Sequence, residues 1–134
     1  MKEDIKQAHL AREKAYAPYS HFKVGAAIQL KNGVYIHGAN IENASYGLSN
    51  CAERSALYSL LSQGYQTKDI LSMTIIADHP DPVSPCGACR QVMHELLPKG
   101  TPILLVNTSG QYKKTTPEAL LPFAFVMKED AHEL

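Results

Sequence analysis

The chain has 134 residues, of which 45% are hydrophobic and 19% charged, the size and composition of one globular domain. Lys and Arg number 13, as do Asp and Glu, so the formal net charge is zero. This lack of excess positive charge argues against a nucleic-acid polymer as a partner, and no apolar run reaches membrane-spanning length. No signal-peptide core follows Met1. We therefore expect a single cytoplasmic domain over residues 1–134 that acts on small molecules and binds no membrane.

The first half of the chain predicts two helices separated by a hairpin and a loop. Apolar residues at helical spacing indicate the first helix, which Asp4 caps and Pro18 ends. The dipeptide Asn32-Gly33 is typical of a two-residue hairpin turn, and Gly64 is typical of a helix C-cap. The predicted elements are a helix at about 4–16, strands at 24–30 and 34–38, a loop at 40–50, and a helix from 49 or 50 to 63.

The second half predicts three further strands and two helices. Short apolar runs indicate buried strands, and Pro117 suits the first position of a last short helix. The predicted elements are strands at 71–77, 102–107 and 111–115, a loop at 79–85, a helix from 86 to before Pro98, and a short helix opening at 116–118. The antiparallel pairing of the last strand and the strand–helix–strand crossovers predict an α/β fold with a mixed sheet and helices on its faces.

All three cysteines lie where a predicted helix starts. Free N–H groups and the positive end of the helix dipole favour thiolates there, and thiolates are good zinc ligands. The C-x-x-C spacing of Cys86 and Cys89 alone fits a redox pair, half a structural zinc site or chance. Adding Cys51 gives three ligands and leaves one tetrahedral position open for water, as in catalytic zinc sites. A histidine, His79 or His94, closing a structural site is the alternative.

Three charged residues next to the cysteines are candidates for catalysis and charge balance. Glu53 follows Cys51 by two residues and could exchange protons with a water that zinc activates, or simply act as a first-turn acid that favours the helix dipole. Zinc with three thiolates carries a formal charge of minus one. We therefore expect Arg54 or Arg90 to donate to the sulfurs, the alternative for each being an ordinary surface arginine.

Four blocks of sequence, in order and spread over most of the chain, resemble the small cytidine deaminases. The pattern Cys51-Ala52-Glu53 followed by Pro85-Cys86-Gly87-Ala88-Cys89 is the three-cysteine variant of the zinc deaminase signature. The matching blocks are TyrAlaProTyrSerHisPheLysValGlyAlaAla at 16–27, AsnIleGluAsnAlaSer at 40–45, CysAlaGluArg at 51–54, and ProCysGlyAlaCysArgGlnVal at 85–92.

The resemblance implies hydrolytic deamination of cytidine and deoxycytidine to uridine and deoxyuridine, with release of ammonia, in pyrimidine salvage. The cysteines would hold one zinc per subunit, and Glu53 would move protons from water to N3 and to the leaving amine. The substrate contacts it implies are the backbone of Ala52 against the base edge, Asn40 and Glu42 on the sugar hydroxyls, Phe22 stacked on the pyrimidine, Tyr46 in the pocket, and Phe125 closing the pocket of a neighbouring subunit.

The same resemblance implies a three-layer sandwich around a five-stranded mixed sheet, and a homotetramer with shared active sites. The resemblance implies a smaller residue in the segment before Phe125, so the bulky Phe123 is a departure that could alter the pocket lid or subunit contact. Alternatives are a deaminase of a nucleotide, a polynucleotide or a nucleoside-like antibiotic, a non-catalytic structural zinc module, and a thiol redox protein. The redox alternative leaves Cys51 and Glu53 unexplained.

Overall fold

A computed structural model describes residues 1–127. Its helices and strands follow the order expected from the sequence. They are α1 (Lys2–Arg12), β1 (Val24–Leu30), β2 (Tyr35–Ala39), α2 (Ala52–Ser62), β3 (Ile70–Ala77), α3 (Gly87–Leu96), β4 (Ile103–Val106), β5 (Tyr112–Thr115) and α4 (Pro117–Leu120). Short 3-10 turns occupy Tyr46–Leu48 and Thr67–Asp69.

The five strands form one mixed sheet in the order β2-β1-β3-β4-β5. β1 pairs antiparallel with both β2 and β3, β3 pairs parallel with β4, and β4 pairs antiparallel with β5. The parallel pair is joined through α3, as the predicted crossover required. The start of β1 therefore lies beside the ends of β2 and β3, where Val24 faces Ala77 and Gly25 faces Ala39.

Helices cover both faces of the sheet, which confirms the predicted three-layer α/β arrangement. On one face, the larger core joins α2 and α3 to inward residues of β1, β3 and β4, such as Ile28, Met73 and Leu105. On the other face, Ala8 of α1 packs with Ala27, Ile76 and other residues. Side chains that alternate along each strand supply the two cores, because successive strand residues point to opposite faces.

The strand boundaries agree closely with the prediction, but the first helix differs. α1 begins at Lys2 and ends at Arg12, so it is displaced toward the N-terminus from the predicted 4–16. Asp4 is not its cap; it accepts a hydrogen bond from the Tyr35 hydroxyl and pairs with the N-terminal ammonium group. After α1 the chain turns, and Tyr16 forms an isolated bridge to Ile41. This long-range pairing of Tyr16 is incompatible with a continuing helix.

The hairpin after β1 forms where Asn32-Gly33 predicts it, although β2 begins at Tyr35, one residue later than expected. Gly33 has a φ of 89°, in the left-handed region that glycine adopts without strain. The Asn32 side chain accepts a hydrogen bond from the Val34 N–H and so braces the turn. Within residues 1–127, none of the helices is both long and apolar enough to cross a membrane.

Candidate metal centre and pocket

The starts of α2 and α3 bring the three cysteine sulfurs together. Cys51 is the N-cap of α2, Cys86 is the N-cap of α3, and Cys89 lies in the first turn of α3. The three sulfurs lie within 4.8 Å of one another, and the Cys51 and Cys86 sulfurs are 3.9 Å apart. Tetrahedral zinc with Zn–S bonds of about 2.3 Å places its sulfurs roughly 3.8 Å apart. The spacing and the soft thiolate ligands thus fit one zinc ion in this chain.

The sulfurs form this ligand set without a histidine. In the part of the chain that the structure describes, the cluster whose ligand atoms lie within 4.8 Å of one another consists of these three cysteines. His79, one of the two candidates for a fourth ligand, instead accepts a hydrogen bond from the backbone N–H of Asp81. The arrangement leaves the fourth tetrahedral position to a small molecule, which favours a catalytic over a structural site.

Arg54 supplies the positive charge that three thiolates require. Its Nη2 lies 3.3 Å from the sulfur of Cys51. The pKa of the Cys51 thiol falls to about 5, first because of its hydrogen bond with Cys89 and then because of the guanidinium of Arg54. The hydrogen bond with Cys51, and then burial, raise the pKa of the Cys89 thiol. The cluster therefore favours a thiolate at Cys51, the sulfur that Arg54 contacts.

Glu53 is a buried carboxyl beside the cysteine cluster. It lies in the first turn of α2, its side chain is 5% exposed, and it lines the same pocket as Cys51 and Cys86. Burial raises the pKa of its carboxyl group, and the nearby charge of Cys51 acts in the same direction. A carboxyl group in this setting can exchange protons with a molecule held in the pocket.

The pocket has a volume of about 260 Å³ and opens beside the ends of β2 and β3. Cys51, Cys86 and Glu53 are part of its lining. Its lining combines aromatic and aliphatic side chains with hydrogen-bonding groups, the usual composition of a small-molecule site. The lining residues are Phe22, Val24, Asn40, Glu42, Tyr46, Ser49, Asn50, Cys51, Ala52, Glu53, Ile75, Ala77, Val83, Ser84, Pro85 and Cys86.

Asn40 and Glu42 are both in the pocket wall and both held in place by backbone groups. Asn40 accepts a hydrogen bond from the Val24 N–H at 2.9 Å and donates to the Phe22 carbonyl at 2.7 Å. Glu42 accepts bonds from the N–H groups of Tyr19 and Ser20, each at 3.1 Å, and from the Ser20 hydroxyl. The bonds from Ser20 and then Tyr19 lower the pKa of Glu42, which keeps it ionised.

The other predicted substrate contacts divide between the pocket and the surface. Phe22, Ala52 and Tyr46 line the pocket; Ala52 is fully buried, whereas Tyr46 is 72% exposed. Phe125 lies outside this chain's pocket, with its ring 70% exposed and its carbonyl accepting a bond from Gln91 at 3.1 Å. Its position is compatible with a contact to another subunit and not with a role in its own pocket.

Of the two arginines proposed as partners of the thiolates, Arg90 directs its side-chain hydrogen bonds elsewhere. Its Nε donates to the Pro85 carbonyl and its Nη1 to the Leu120 carbonyl, both at 2.8 Å, and its Nη2 donates to the Ser84 hydroxyl. Buried carbonyls that lack another donor compete well for a guanidinium. Arg54 is therefore the arginine that donates a hydrogen bond to a cysteine sulfur.

The sequence did not single out Ser49, Asn50 and Ser84 as pocket residues, although all three line it. Each lies within two residues of a zinc-binding cysteine in the chain. That proximity was the available signal, since a cysteine at a helix N-cap places the preceding residues at the same end of the helix. The apolar residues Ile75 and Ala77 of β3 also line the pocket. They are distant in the chain from the cysteines, so the sequence did not mark them as pocket residues.

Comparison with known proteins agrees with this geometry. Residues 2–104 match the family model described as the cytidine and deoxycytidylate deaminase zinc-binding region. The chain belongs to this family. A cytidine deaminase from Halalkalibacterium halodurans is 53% identical over 125 residues, which cover 93% of each chain. One from Sporosarcina psychrophila is 46% identical over 126 residues, covering 94% of this chain and 90% of the relative.

Solved structures of the family share the fold. The 1.6 Å crystal structure of cytidine deaminase from Burkholderia pseudomallei superposes with a TM-score of 0.89 at 49% identity, covering 92% of this chain and 98% of that one. These relatives are named cytidine deaminase, which is a hydrolase, and the present chain has a three-cysteine cluster that fits zinc. The family, the fold and the zinc-binding character predicted from the sequence are thereby confirmed.

Proposed function

We propose that this protein deaminates cytidine and deoxycytidine to uridine and deoxyuridine in pyrimidine salvage. The observation that carries the proposal is the buried Glu53 carboxyl, which shares one pocket with a three-cysteine zinc site. Bound zinc supplies Lewis-acid activation of the attacking water. The reaction consumes one water and one nucleoside, and it yields the corresponding uracil nucleoside and ammonia.

Glu53 is the proton carrier in this proposal. Its carboxylate takes a proton from the attacking water and delivers it to N3 of the pyrimidine as the new C4–O bond forms. It then takes the remaining hydroxyl proton and gives it to the amine at C4, so that ammonia leaves and the C4 carbonyl forms. One carboxyl suffices because each proton it accepts is passed on before the next. Its burial excludes bulk water that would compete for these protons.

The charge of the pocket favours a nucleoside over a nucleotide. Among its lining residues, the acidic ones are Glu42 and Glu53, and none is Lys, Arg or His. A 5′-phosphate needs cationic or N–H donors and would face the ionised Glu42 instead. A neutral sugar can donate its hydroxyls to Glu42 and can bond to the amide of Asn40. The backbone bonds that hold these two side chains preserve that arrangement before substrate enters.

The aromatic residues complete the recognition of the base. Phe22 is partly buried in the pocket wall, and its carbonyl accepts a hydrogen bond from the Asn40 amide. This bond fixes the backbone that carries the ring. We propose that this ring stacks on the pyrimidine, with the backbone of Ala52 along the base edge and Tyr46 at the pocket rim. Stacking suits a flat, weakly polar ring that must be oriented with C4 toward the cysteines.

We further propose a homotetramer in which Phe125 closes the pocket of a neighbouring subunit. Four apolar side chains, two in the 46–48 turn and two at positions 123 and 125, are strongly exposed, and such exposure is typical of surfaces that bind another protein. They are Tyr46 at 72%, Leu48 at 73%, Phe123 at 106% and Phe125 at 70%. Phe123 also has a φ of 56°, so the chain turns sharply just before Phe125. Phe123 is thus proposed to shape the subunit contact.

We also propose that residues 1–134 form a single domain and that the protein is cytoplasmic. Residues 128–134 lie outside the described part of the structure. A reducing compartment is supported by three free cysteines whose thiols must stay reduced to bind zinc.

The deciding experiment is a comparison of substrates with the zinc-loaded protein. Cytidine, deoxycytidine, cytidine monophosphate, deoxycytidylate and blasticidin S are each followed by ultraviolet absorbance and ammonia release. We expect turnover of both nucleosides at kcat/KM values at least about 100-fold above those of the nucleotides, because the anionic pocket repels phosphate. Faster turnover of deoxycytidylate or blasticidin S would refute the assigned substrate, and no turnover of any of them would favour the structural zinc module.

A further inference from the structure

We infer that Arg90 is a positioning residue that holds the pocket wall next to Cys86 against the C-terminal end of α4. The wall is formed by Ser84 and Pro85, which precede Cys86 directly. The inference rests on the proposed function for one of its two readouts; the other, zinc retention, is independent of the substrate.

The guanidinium of Arg90 joins two segments that are distant in the chain. Two of its nitrogens donate to Ser84 and Pro85, and the third donates to the carbonyl of Leu120, the last residue of α4. Each bond uses a different nitrogen, so the planar fork fixes the relative position of all three acceptors. A hydrogen bond from a charged donor is stronger than a neutral one, and the two bonds to carbonyl oxygens are partly buried.

The wall depends on a side-chain donor because its own backbone offers little support. Residues 82–86 belong to no helix or strand. The loop before Cys86 contains Pro80, Pro82 and Pro85, and proline has no N–H to donate. The carbonyl of Pro80 accepts a hydrogen bond from the buried amide of Asn107 at 2.7 Å, which anchors the start of the loop to the residue that follows β4. Arg90 performs the corresponding role at the end of the loop, beside Cys86.

The backbone of Arg90 also contacts this region. Its N–H donates to the carbonyl of Cys86 at 3.0 Å, the first bond of α3. The side chain of Arg90 therefore hydrogen-bonds to the two residues before Cys86, while its main chain hydrogen-bonds to Cys86 itself. Loss of the three guanidinium hydrogen bonds would allow Ser84 and Pro85 to move. Cys86 would move with them because it follows them directly in the chain. We expect weaker zinc retention and weaker substrate binding from the same cause.

The alternative role for Arg90 is electrostatic, as a positive charge near the thiolates. Lysine separates the two roles, because it keeps the charge but cannot bond three acceptors in fixed directions. Gln91 is a matched neighbouring control. Its Nε2 donates to the Phe125 carbonyl, so it contacts the C-terminal segment without contacting the wall.

The first measurement is the rate at which native, zinc-loaded protein releases zinc to a coloured chelator. Each variant is assayed at least about 15 °C below its own Tm, so that global unfolding does not contribute. We expect Arg90→Gln and Arg90→Lys both to release zinc about tenfold faster than the parent protein, and Gln91→Ala to release it at the parent rate. Ser84→Ala, which removes one of the three acceptors, should give an intermediate increase of about twofold to threefold and serves if the Arg90 variants fail to fold.

The second measurement is the kinetics of cytidine turnover per bound zinc. We expect a rise in KM of about fivefold or more for Arg90→Lys with a smaller change in kcat, because the wall contacts substrate while Glu53 stays in place. Parent-like zinc release in Arg90→Lys with fast release in Arg90→Gln would assign the charge role and overturn the inference. Equal acceleration in Gln91→Ala, or acceleration in none of the variants, would also overturn it. Failure of the parent protein to turn over cytidine would refute the proposed function and leave the zinc-release result decisive for Arg90.

Discussion

Gly38 lets β2 approach α2, the helix that carries the proposed site residues Ala52 and Glu53, so Gly38→Ala should impair stability and activity together. A Cβ atom at this position would lie 2.3 Å from the Ala56 nitrogen, 2.5 Å from the Ala52 carbonyl oxygen and 2.7 Å from the Ala56 Cα. Ordinary contact begins near 3.4 Å, so the strand and helix must separate by about 1 Å. All three contacts are backbone atoms of α2, which cannot move aside as a side chain does.

The cost can be estimated from this overlap. Overpacking by one methyl group typically costs about 1–3 kcal/mol, and rigid backbone neighbours place Gly38→Ala at about 3 kcal/mol. For a chain of this size, that loss lowers the Tm by roughly 10 °C. Displacement of α2 by about 1 Å also shifts Cys51, Ala52 and Glu53 from their places, and a misplacement of this size can lower kcat/KM by about 100-fold.

Gly25 provides a matched control on the other face of the sheet. A Cβ there would lie 2.4 Å from the Ala8 carbonyl oxygen and 2.4 Å from the Arg12 nitrogen, both in α1. Gly25→Ala should therefore lower the Tm about as much, while kcat/KM per bound zinc stays within about threefold of the parent. The assay is thermal unfolding by circular dichroism together with cytidine turnover of zinc-loaded protein. An equal loss of activity in both variants, or an unchanged Tm in Gly38→Ala, would refute the reasoning.

Four further changes test the site and the fold. Glu53→Gln should keep zinc and Tm but lower kcat by about 10³-fold, because the proton carrier is lost. Cys86→Ala should abolish most zinc binding and activity, measured by metal analysis, because two thiolates seldom hold zinc. Phe125→Ala should lower kcat/KM by about tenfold with the oligomer intact by light scattering. Burial, and then Lys14, lower the pKa of His37 from its ordinary 6.5. As the pH drops below 6.5, the imidazole of His37 therefore takes up a proton more readily in the unfolded chain than in the folded protein. This difference favours unfolding, so stability to urea should fall with the pH. His37→Gln should reduce that fall.

Each of these has an outcome that would contradict it. Parent-like turnover by Glu53→Gln would remove the carboxyl from the mechanism. Full zinc content in Cys86→Ala would mean that another ligand fills its place. Unchanged kinetics in Phe125→Ala would show that no neighbouring pocket uses this ring. An identical pH profile in His37→Gln and the parent would assign the acid sensitivity to another group.

The order of elements could be predicted because each is encoded locally. β1 was predicted at its observed bounds, since an apolar run ends at a strong turn signal. The cysteines were expected at helix starts and are found there, because loop residues followed by apolar spacing mark the beginnings of α2 and α3. The end of α1 was not predictable in this way. It depends on Tyr16, whose N–H donates to the carbonyl of Asn40, a partner 24 residues further along the chain.

The sequence by itself predicted the zinc chemistry, because three cysteines offer thiolate ligands and their pattern with Glu53 resembles the zinc deaminase signature. It left two arginines, each just after a residue of the site, as equal candidates for the thiolates. Only the tertiary structure separated them. Arg54 remains next to Cys51, whereas the carbonyls of Pro85 and Leu120 draw Arg90 away. The physical reason is that a guanidinium goes to the acceptors that most need a donor, and one of these acceptors comes from a segment 30 residues away in the chain.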